Sequence, residues 1–413
     1  LAGNTNSLDG DVSGVHDVFQ DGWIARLDST GELVWSTTLG GNSVDVLYSV
    51  ARQGNHILAC GSACSDDAYI SGSQGGCDVW VVSLNLDGSV NQYALYGSTW
   101  NDAGYHLAPS PDGGFILAGL IGGDGGNVDT YYGYNDIWML KLDYDGSLQW
   151  QATLGGSGID APRSITVLND GSYLLSAETN STDGQISANA GAYDGWLVKL
   201  SASGTLQWEK SIGGPGYDGS FDAVEQDDGT LVVVSEIWSE AQTGSQTPHG
   251  GTDVVLTAFS AQGNVLWEKW YGGSMLDRPL SICQETTHSW IVAVQSNSAD
   301  GDIDSLRGND DIWVFRVSEE APLDAQTPIA AKRPHIYPQP ASQALYIETP
   351  TTRLPIRCSI YNACGSLVFQ HALDAETPLH HLQLPGLPKG FYTLELHNNT
   401  LQSTQPLILF SQP

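Results

Sequence analysis

Basic residues are scarce. Lys and Arg number 15 in 413 residues, against 47 Asp and Glu, for a formal net charge of −32. The imbalance is local: 10 basic and 42 acidic residues lie in 1–320, five of each in 321–413. A field of that sign repels phosphate backbones and anionic lipid, which excludes nucleic-acid binding and favours cations or neutral ligands. No run of about 18 apolar residues occurs, so no transmembrane helix is expected. No signal peptide is visible, but the chain opens without Met and in mid-motif, from Leu1 to Thr5, and reads as a fragment or a mature form. No amphipathic helical stretch of useful length appears. Cysteine is sparse too: Cys60, Cys64, Cys77, Cys283, Cys358 and Cys364, with no C-x-x-C to support a zinc or thioredoxin-like site. Cys64 with Cys77, or Cys358 with Cys364, would form disulfides in an oxidising compartment; unpaired, partly buried thiols are the alternative.

Glycine, by contrast, is abundant at 48 residues, and Trp numbers 13. That balance suits an all-β chain with many tight turns, where Gly supplies positive φ. The glycines and tryptophans fall in a tandem repeat of about 58 residues. Asp-x-Trp recurs at Asp21/Trp23, Asp78/Trp80, Asp136/Trp138, Asp194/Trp196 and Asp311/Trp313, and Asp253 heads a copy with Val255 in the Trp place. Gly31, Gly88, Gly146, Gly204 and Gly263 each stand four residues before a second Trp (Trp35, Trp150, Trp208, Trp267), with Gln92 as the exception. A glycine pair follows, Gly97-Ser98 in the odd unit, and then Asp45, Asp102, Asp160, Asp218 or Asp277.

Each unit reads as four strands. The Asp-x-Trp segment alternates polar and apolar residues, a turn such as Asp145-Gly146 leads to a second strand, a third follows the fixed Asp, and a second Asp-Gly turn leads to a fourth. Four short strands per repeat with Trp and Gly landmarks predict a β-propeller blade. Such blades must stack to bury both faces, with indoles packed between neighbours and the fixed Asp residues bonding loop backbone. Cutting before the second strand predicts five four-stranded blades between Gly31 and Ser318 and a truncated first blade over Leu1 to Asp28. Half a repeat upstream would complete six blades, and a longer upstream segment seven.

The pattern D-x-W…L-D-x-x-G-x-x-x-W…G-G resembles a family of repeat propellers in secreted proteins of gliding and gut bacteria that use the type IX secretion system. Members carry an S-x-D-G-D-V-S-G-x-H-G loop, matched from Ser7 to His16 and more loosely at 181–187 and 298–305. A distant likeness to the tryptophan-docked blades of quinoprotein dehydrogenases reaches the fold only, because no acidic-plus-basic cofactor constellation accompanies it. Residues 319–334 are rich in Pro and Ala and read as a linker between a propeller over 1–318 and a small Greek-key-like β-sandwich over 335–413. That last segment resembles the type IX C-terminal sorting domain. Tyr337, Pro338 and Pro340 match its opening Tyr-Pro-x-Pro, Gly365 its central hairpin, and Gly390 with Tyr392 its L-P-x-G-x-Y turn. The tail lacks the Lys residues common at the family's extreme C-terminus. The resemblance implies passage across the outer membrane, removal of this domain, and release or attachment to surface lipopolysaccharide. An ordinary binding sandwich is the alternative.

Chemistry is thin. No H-E-x-x-H, P-loop, phosphate-cradling G-x-G-x-x-G or G-x-S-x-G occurs. His380 and His381 alternate across a strand, share no face and read as solvated. Any two of so many carboxylates can be paired on paper, and the Asp-box-like segment 143–150 is a turn rather than a catalytic feature. The six propeller Arg show no shared repeat position that suggests a cluster. The loop carboxylates Asp9 and Asp11, and Asp300, Asp302 and Asp304, alternate on Gly-containing turns in a way that suits Ca²⁺, with an Asx-rich surface turn as the plainer alternative. No catalytic residue is assigned and no other cofactor is expected. The expected function is a monomeric, secreted or surface-attached binding scaffold. Its partners are the type IX machinery and a glycan, peptide or surface protein, engaged by exposed aromatics such as Trp100, Tyr131, Tyr132, Tyr134 and Trp238. An extracellular glycan hydrolase with a central-channel carboxylate site, or a spacer within a larger adhesin, are the alternatives.

Overall fold

A computed structural model describes the chain except residues 8, 13–18, 68–69, 239–248, 304, 305, 307, 319–334, 338–343, 349–355, 363–365, 375, 376, 378, 385, 398–401 and 410–413. The chain divides into two compact units, Leu1–Glu320 and Ala321–Pro413. The linker read at 319–334 lies outside the described residues.

Glycine-containing tight turns dictate the strand pairing, with Asp before the glycine at Gly88 and Gly146 and Thr30, Ser203 or Gln262 before the others. Gly31, Gly88, Gly146, Gly204 and Gly263 all take positive φ, between 78° and 93°, and each closes a tight hairpin between the Asp-x-Trp strand and the strand after it. The first sheet is β1 (Ala2–Thr5), β2 (Asp21–Leu27) and β3 (Leu33–Leu39). Four four-stranded antiparallel sheets follow, each ordered from inside to outside as in the chain. They are β4 (Asp45–Gln53) to β7 (Val90–Tyr96) through β5 (His56–Ala63) and β6 (Asp78–Leu84), then β8 (Ala103–Pro109), β9 (Phe115–Ile121), β10 (Asp136–Leu142) and β11 (Leu148–Leu154). The next are β12 (Asp160–Val167), β13 (Tyr173–Thr179), β14 (Asp194–Leu200) and β15 (Leu206–Ile212), then β16 (Asp218–Glu225), β17 (Leu231–Ile237), β18 (Asp253–Phe259) and β19 (Val265–Tyr271). A sixth sheet has β20 (Asp277–Thr286), β21 (Ser289–Ser296) and β22 (Asp311–Ser318).

This is the expected all-β propeller, with no helix among the described residues. Its blades are cut differently from the sequence expectation, however. The hairpin at Gly31, Gly88, Gly146, Gly204 and Gly263 keeps the second strand with the Asp-x-Trp strand before it, so the boundary falls after the glycine pair. Four sheets have four strands and the first and last have three.

Stacking follows from strand alternation. On β10, Trp138 and Leu140 pack backwards against Leu58, Val79 and Val81, while Ile137 and Met139 pack forwards against Leu175, Trp196 and Val198. Trp138 and Trp196 are fully buried, each removing on the order of 200 Å² from water, and their Nε1 atoms donate to Gln151 (2.8 Å) and Glu209 (2.9 Å). The second Trp of a blade lies on the turn glycine of the next. A Cβ on Gly88 or Gly204 would come within 2.7 Å of the Trp35 or Trp150 ring. Gln92, standing where this Trp is missing, instead donates Nε2 to the Asp145 carbonyl at 2.7 Å.

Val255 has its own compensation. Its cross-strand partner is Trp270, whereas Trp138 and Trp196 face Thr153 and Ser211. The indole has moved to the neighbouring strand and, 7% exposed, joins Ile237 and Val255 in one small core.

The fixed Asp residues are buried braces. Oδ2 of Asp45, Asp102, Asp160, Asp218 and Asp277 accepts the amide four residues upstream, at 2.6–2.8 Å. Oδ2 of Asp78, Asp136, Asp194 and Asp253 likewise accepts the amide of Gln74, Tyr132, Ala190 or His249. The first glycine of the pair sits between the carboxylates of two successive blades: a Cβ on Gly155 would lie 2.2 Å from Asp136 Oδ1 and 2.7 Å from Asp160 Oδ2. Burial raises the pKa of Asp78, Asp102, Asp160, Asp194, Asp218 and Asp253, and pushes that of Asp136 up to about 6.

The C-terminal unit is a sandwich. One sheet orders β23 (His335–Tyr337), β24 (Ala344–Glu348) and β27 (Leu379–Gln383); the other orders β26 (Leu367–Leu373), β25 (Ile356–Asn362), β28 (Gly390–His397) and β29 (Gln402–Leu409). Leu345, Ile347 and Leu382 of the first share a core with Ile360, Leu394 and Leu407 of the second. His380, expected to be solvated, is instead buried. Strand alternation turns it to the same side as the core residue Leu382, and burial lowers its pKa. His381 is exposed and packs on Tyr346.

Candidate functional site

The propeller has two unlike ends. One carries the tight Asp-Gly turns; the other carries the long connections from β5 to β6, β9 to β10 and β13 to β14, together with the glycine-pair loops. On this long-loop end, Trp100 and Asn101 of the β7–β8 loop and Asp124, Tyr131, Tyr134 and Asn135 of the β9–β10 loop enclose a cleft of about 490 Å³. Trp100 is 64% exposed and Tyr134 78%, so two aromatic faces are offered to solvent.

The cleft is held rigidly for loop structure. The Tyr131 hydroxyl lies 3.1 Å from the Gly122 carbonyl and 2.8 Å from that of Tyr134. Asn127 N donates to Gly97 O at 2.7 Å, and Thr153 Oγ1 to Thr130 O at 2.7 Å. Gly123 lets the indole lie on the loop: a Cβ there would fall 2.2 Å from Trp100 Cδ1. A disulfide between Cys64 and Cys77, with Cα atoms 4.1 Å apart, braces the β5–β6 loop beneath. From that loop Cys77 N donates to Asn101 Oδ1 at 3.0 Å, and Gly76 N to the Trp100 carbonyl at 2.9 Å. Cys364, the expected partner of Cys358, lies outside the described residues.

Three of the five aromatics expected at a binding face thus meet in one cleft. Tyr132 is exposed nearby, with its amide on Asp136. Trp238, 53% exposed, stands after β17 with its amide on Asp218 Oδ1. Neither lines the cleft. Two loop carboxylates are engaged by backbone: Asp300 Oδ1 accepts Ser274 N (2.7 Å) and Asp302 Oδ2 accepts Gly272 N (3.2 Å), while at Asp11 it is the main-chain carbonyl that accepts Ser36 Oγ. Asp9 and Asp11 lie exposed on a turn. Asp304 lies outside the described residues, and among the described residues no three His, Cys, Asp or Glu are grouped to hold a metal.

The inner edge of the stack is a second feature, which repeat position alone did not reveal. The inner strands β4, β8, β12, β16 and β20 bulge three residues after the fixed Asp45, Asp102, Asp160, Asp218 or Asp277, leaving Tyr48, Tyr105, Arg163, Phe221 and Leu280 out of the ladder. Neighbours touch: Tyr48 and Tyr105 ring centroids are 4.9 Å apart, and Arg163 and Arg278 lie 5.2 and 5.6 Å from the Phe221 ring. Two propeller arginines therefore do converge, through different repeat offsets. Each is neutralised, Arg163 by Glu178 (2.6 Å) and Arg278 by Glu236 (3.0 Å), while Tyr217 also donates to Glu178. Burial pushes the nearby His106 down to about 4, so it is neutral. Arg26 and Arg316 do share a repeat position, with Lys141 and Lys199. These side chains serve the turn end, where buried Lys141 meets Asp112 at 2.9 Å.

Of the sorting-motif residues, Tyr337 pairs with Tyr346 at the start of the sandwich. Gly390 opens β28, and the largely buried Tyr392 donates its hydroxyl to the Pro388 carbonyl at 2.7 Å, closing the L-P-x-G turn. Pro338, Pro340 and Gly365 lie outside the described residues.

Residues 335–409 match the secretion system C-terminal sorting domain family. The chain is therefore a type IX cargo, secreted to the extracellular space or the cell surface. A stretch of 146 residues is 28% identical to the regulatory protein FlaEY of Caulobacter vibrioides, covering 33% of this chain and 15% of that protein. Among solved structures, a thermostable family-43 glycoside hydrolase overlaps 68% of this chain and 94% of its own, at 13% identity and a TM-score of 0.34. A DUF4221 family member from Bacteroides vulgatus overlaps 76% and 89%, at 9% identity and a TM-score of 0.33. Overlaps of this size transfer no site residue.

Proposed function

We propose that this exported chain is a non-catalytic binding scaffold whose long-loop end engages a ligand at the Trp100–Tyr134 cleft. The observation that carries the reading is the pair of exposed aromatic faces held by loops braced by the Tyr131, Asn127 and Cys77–Asn101 hydrogen bonds and by the Cys64–Cys77 disulfide. Ordering costs are met at folding rather than at binding, which favours affinity. The buried carboxylates near the inner edge, Glu178 and Glu236, are each committed to an arginine, which argues against a general acid–base pair there.

The test is retention of the purified chain on insoluble cell-surface material. Trp100→Ala combined with Tyr134→Ala should abolish retention, while Leu206→Ser on an outer strand leaves it unchanged. Equal retention of all three proteins would refute the assignment.

A further inference from the structure

We infer that the cleft takes a sugar unit of a neutral polysaccharide, a reading that rests on the scaffold proposal and narrows it. The argument starts from what lines the cleft. No Lys, Arg or His is among its walls, and the single ionisable carboxyl group is that of Asp124. A carboxylate accepts hydrogen bonds from hydroxyl pairs and repels uronate or sulfate. The propeller's excess of acid over base repels anionic chains further.

Cationic ligands fit the field but not the geometry. An aromatic cage for an ammonium group holds its rings within about 6 Å of one point. Trp100 and Tyr134 are instead mostly open to solvent, so each presents a flat platform rather than one wall of a box. Between them stand planar amides. Asn101 has its Oδ1 taken by Cys77 N, which directs its free Nδ2 to act as donor, and Asn135 completes the wall. Flat aromatic faces with an amide donor and a carboxylate acceptor match a pyranose ring, which has apolar axial C–H faces and an equatorial belt of hydroxyls. Because Trp100 and Tyr134 are open to solvent, the rest of a chain can lie outside the cleft.

The test is affinity electrophoresis of the full chain in gels holding β-glucan, xyloglucan, mannan, polygalacturonate or no polymer, with poly-lysine binding followed separately by Trp fluorescence. At least one neutral polymer should retard the protein, equally at low and high NaCl, and polygalacturonate should not. Trp100→Ala should weaken that interaction on the order of tenfold, Trp100→Phe should restore most of it, and circular dichroism should show both variants folded. Failure of every neutral polymer, with loss of cell-surface retention in Trp100→Ala, would sink the sugar assignment and leave the scaffold reading standing. Salt-sensitive poly-lysine binding that Trp100→Ala removes would show a cation site instead. If the groove variants change neither assay, both readings fall.

Discussion

Asp136 offers a quantitative check on the buried-brace architecture. Its Oδ2 accepts two amides, from Tyr132 at 2.6 Å and Gly133 at 3.2 Å, while its Oδ1 is buried without a hydrogen-bond partner. Burial, with Asp160 adding repulsion, raises its pKa from 3.8 to about 6. The folded protein thus holds this proton more tightly than the unfolded chain does. The contribution is therefore most favourable below pH 4 and is lost as pH rises through 6. Two pKa units correspond to about 3 kcal/mol, an upper bound at neutral pH. Asp136→Asn keeps the oxygen that the two amides need and removes the charge; its amide can also donate towards Asp160.

The melting difference between the full chain and this variant should be about a third as large at pH 4.5 as at pH 8, where the variant melts several degrees higher. The comparison cancels His106, whose opposite shift lowers stability of both proteins as pH falls below 6.5. A melting difference that stays constant across this range, or a variant less stable at pH 8, would refute the reasoning.

Three further outcomes follow from particular contacts. Reducing the Cys64–Cys77 disulfide should cost about 3 kcal/mol by loop-closure entropy and weaken cleft binding, read by melting and by retention with and without reductant. Trp270→Ala should cost about 3–5 kcal/mol in chemical denaturation, whereas Trp270→Thr with Val255→Trp, which restores the pattern of the other blades, should recover most of it. Tyr392→Phe should lower sorting-domain stability by about 1 kcal/mol through loss of the Pro388 bond, measured by the melt of residues 321–413 within the full chain.

The blades were legible because their physics is local and repeated. Glycine-containing turns, alternating strands and indole spacing recur through the copies, with exceptions at Gln92 and Val255, and the Asp braces sit at fixed offsets from the amides they accept. The blade boundary was misplaced because period alone does not choose a starting strand; hairpin closure at Gly31 and its equivalents does. The transposed indole had a readable signal, since aligning the repeats sets Trp270 directly across from Val255. The cleft was half legible. Its aromatics were picked out one by one, but residues 100, 124, 131 and 134 come from two loops whose meeting depends on the Gly97–Asn127 and Cys77–Asn101 bonds. The Arg163–Phe221–Arg278 contact was hidden for a similar reason: the two arginines occupy different offsets, and only side-by-side packing of β12, β16 and β20 joins them. His380 shows that a polar residue on a core-facing register position is buried by alternation alone.

The central claim is that recognition belongs to the long-loop end. Hydrogen–deuterium exchange on the full chain, with and without the retaining surface material, tests it most directly. Protection should rise at residues 99–101 and 122–135 and stay unchanged at the opposite turns 28–32, 143–147 and 201–205. Protection confined to those turns, or absent from the cleft loops, would contradict the account.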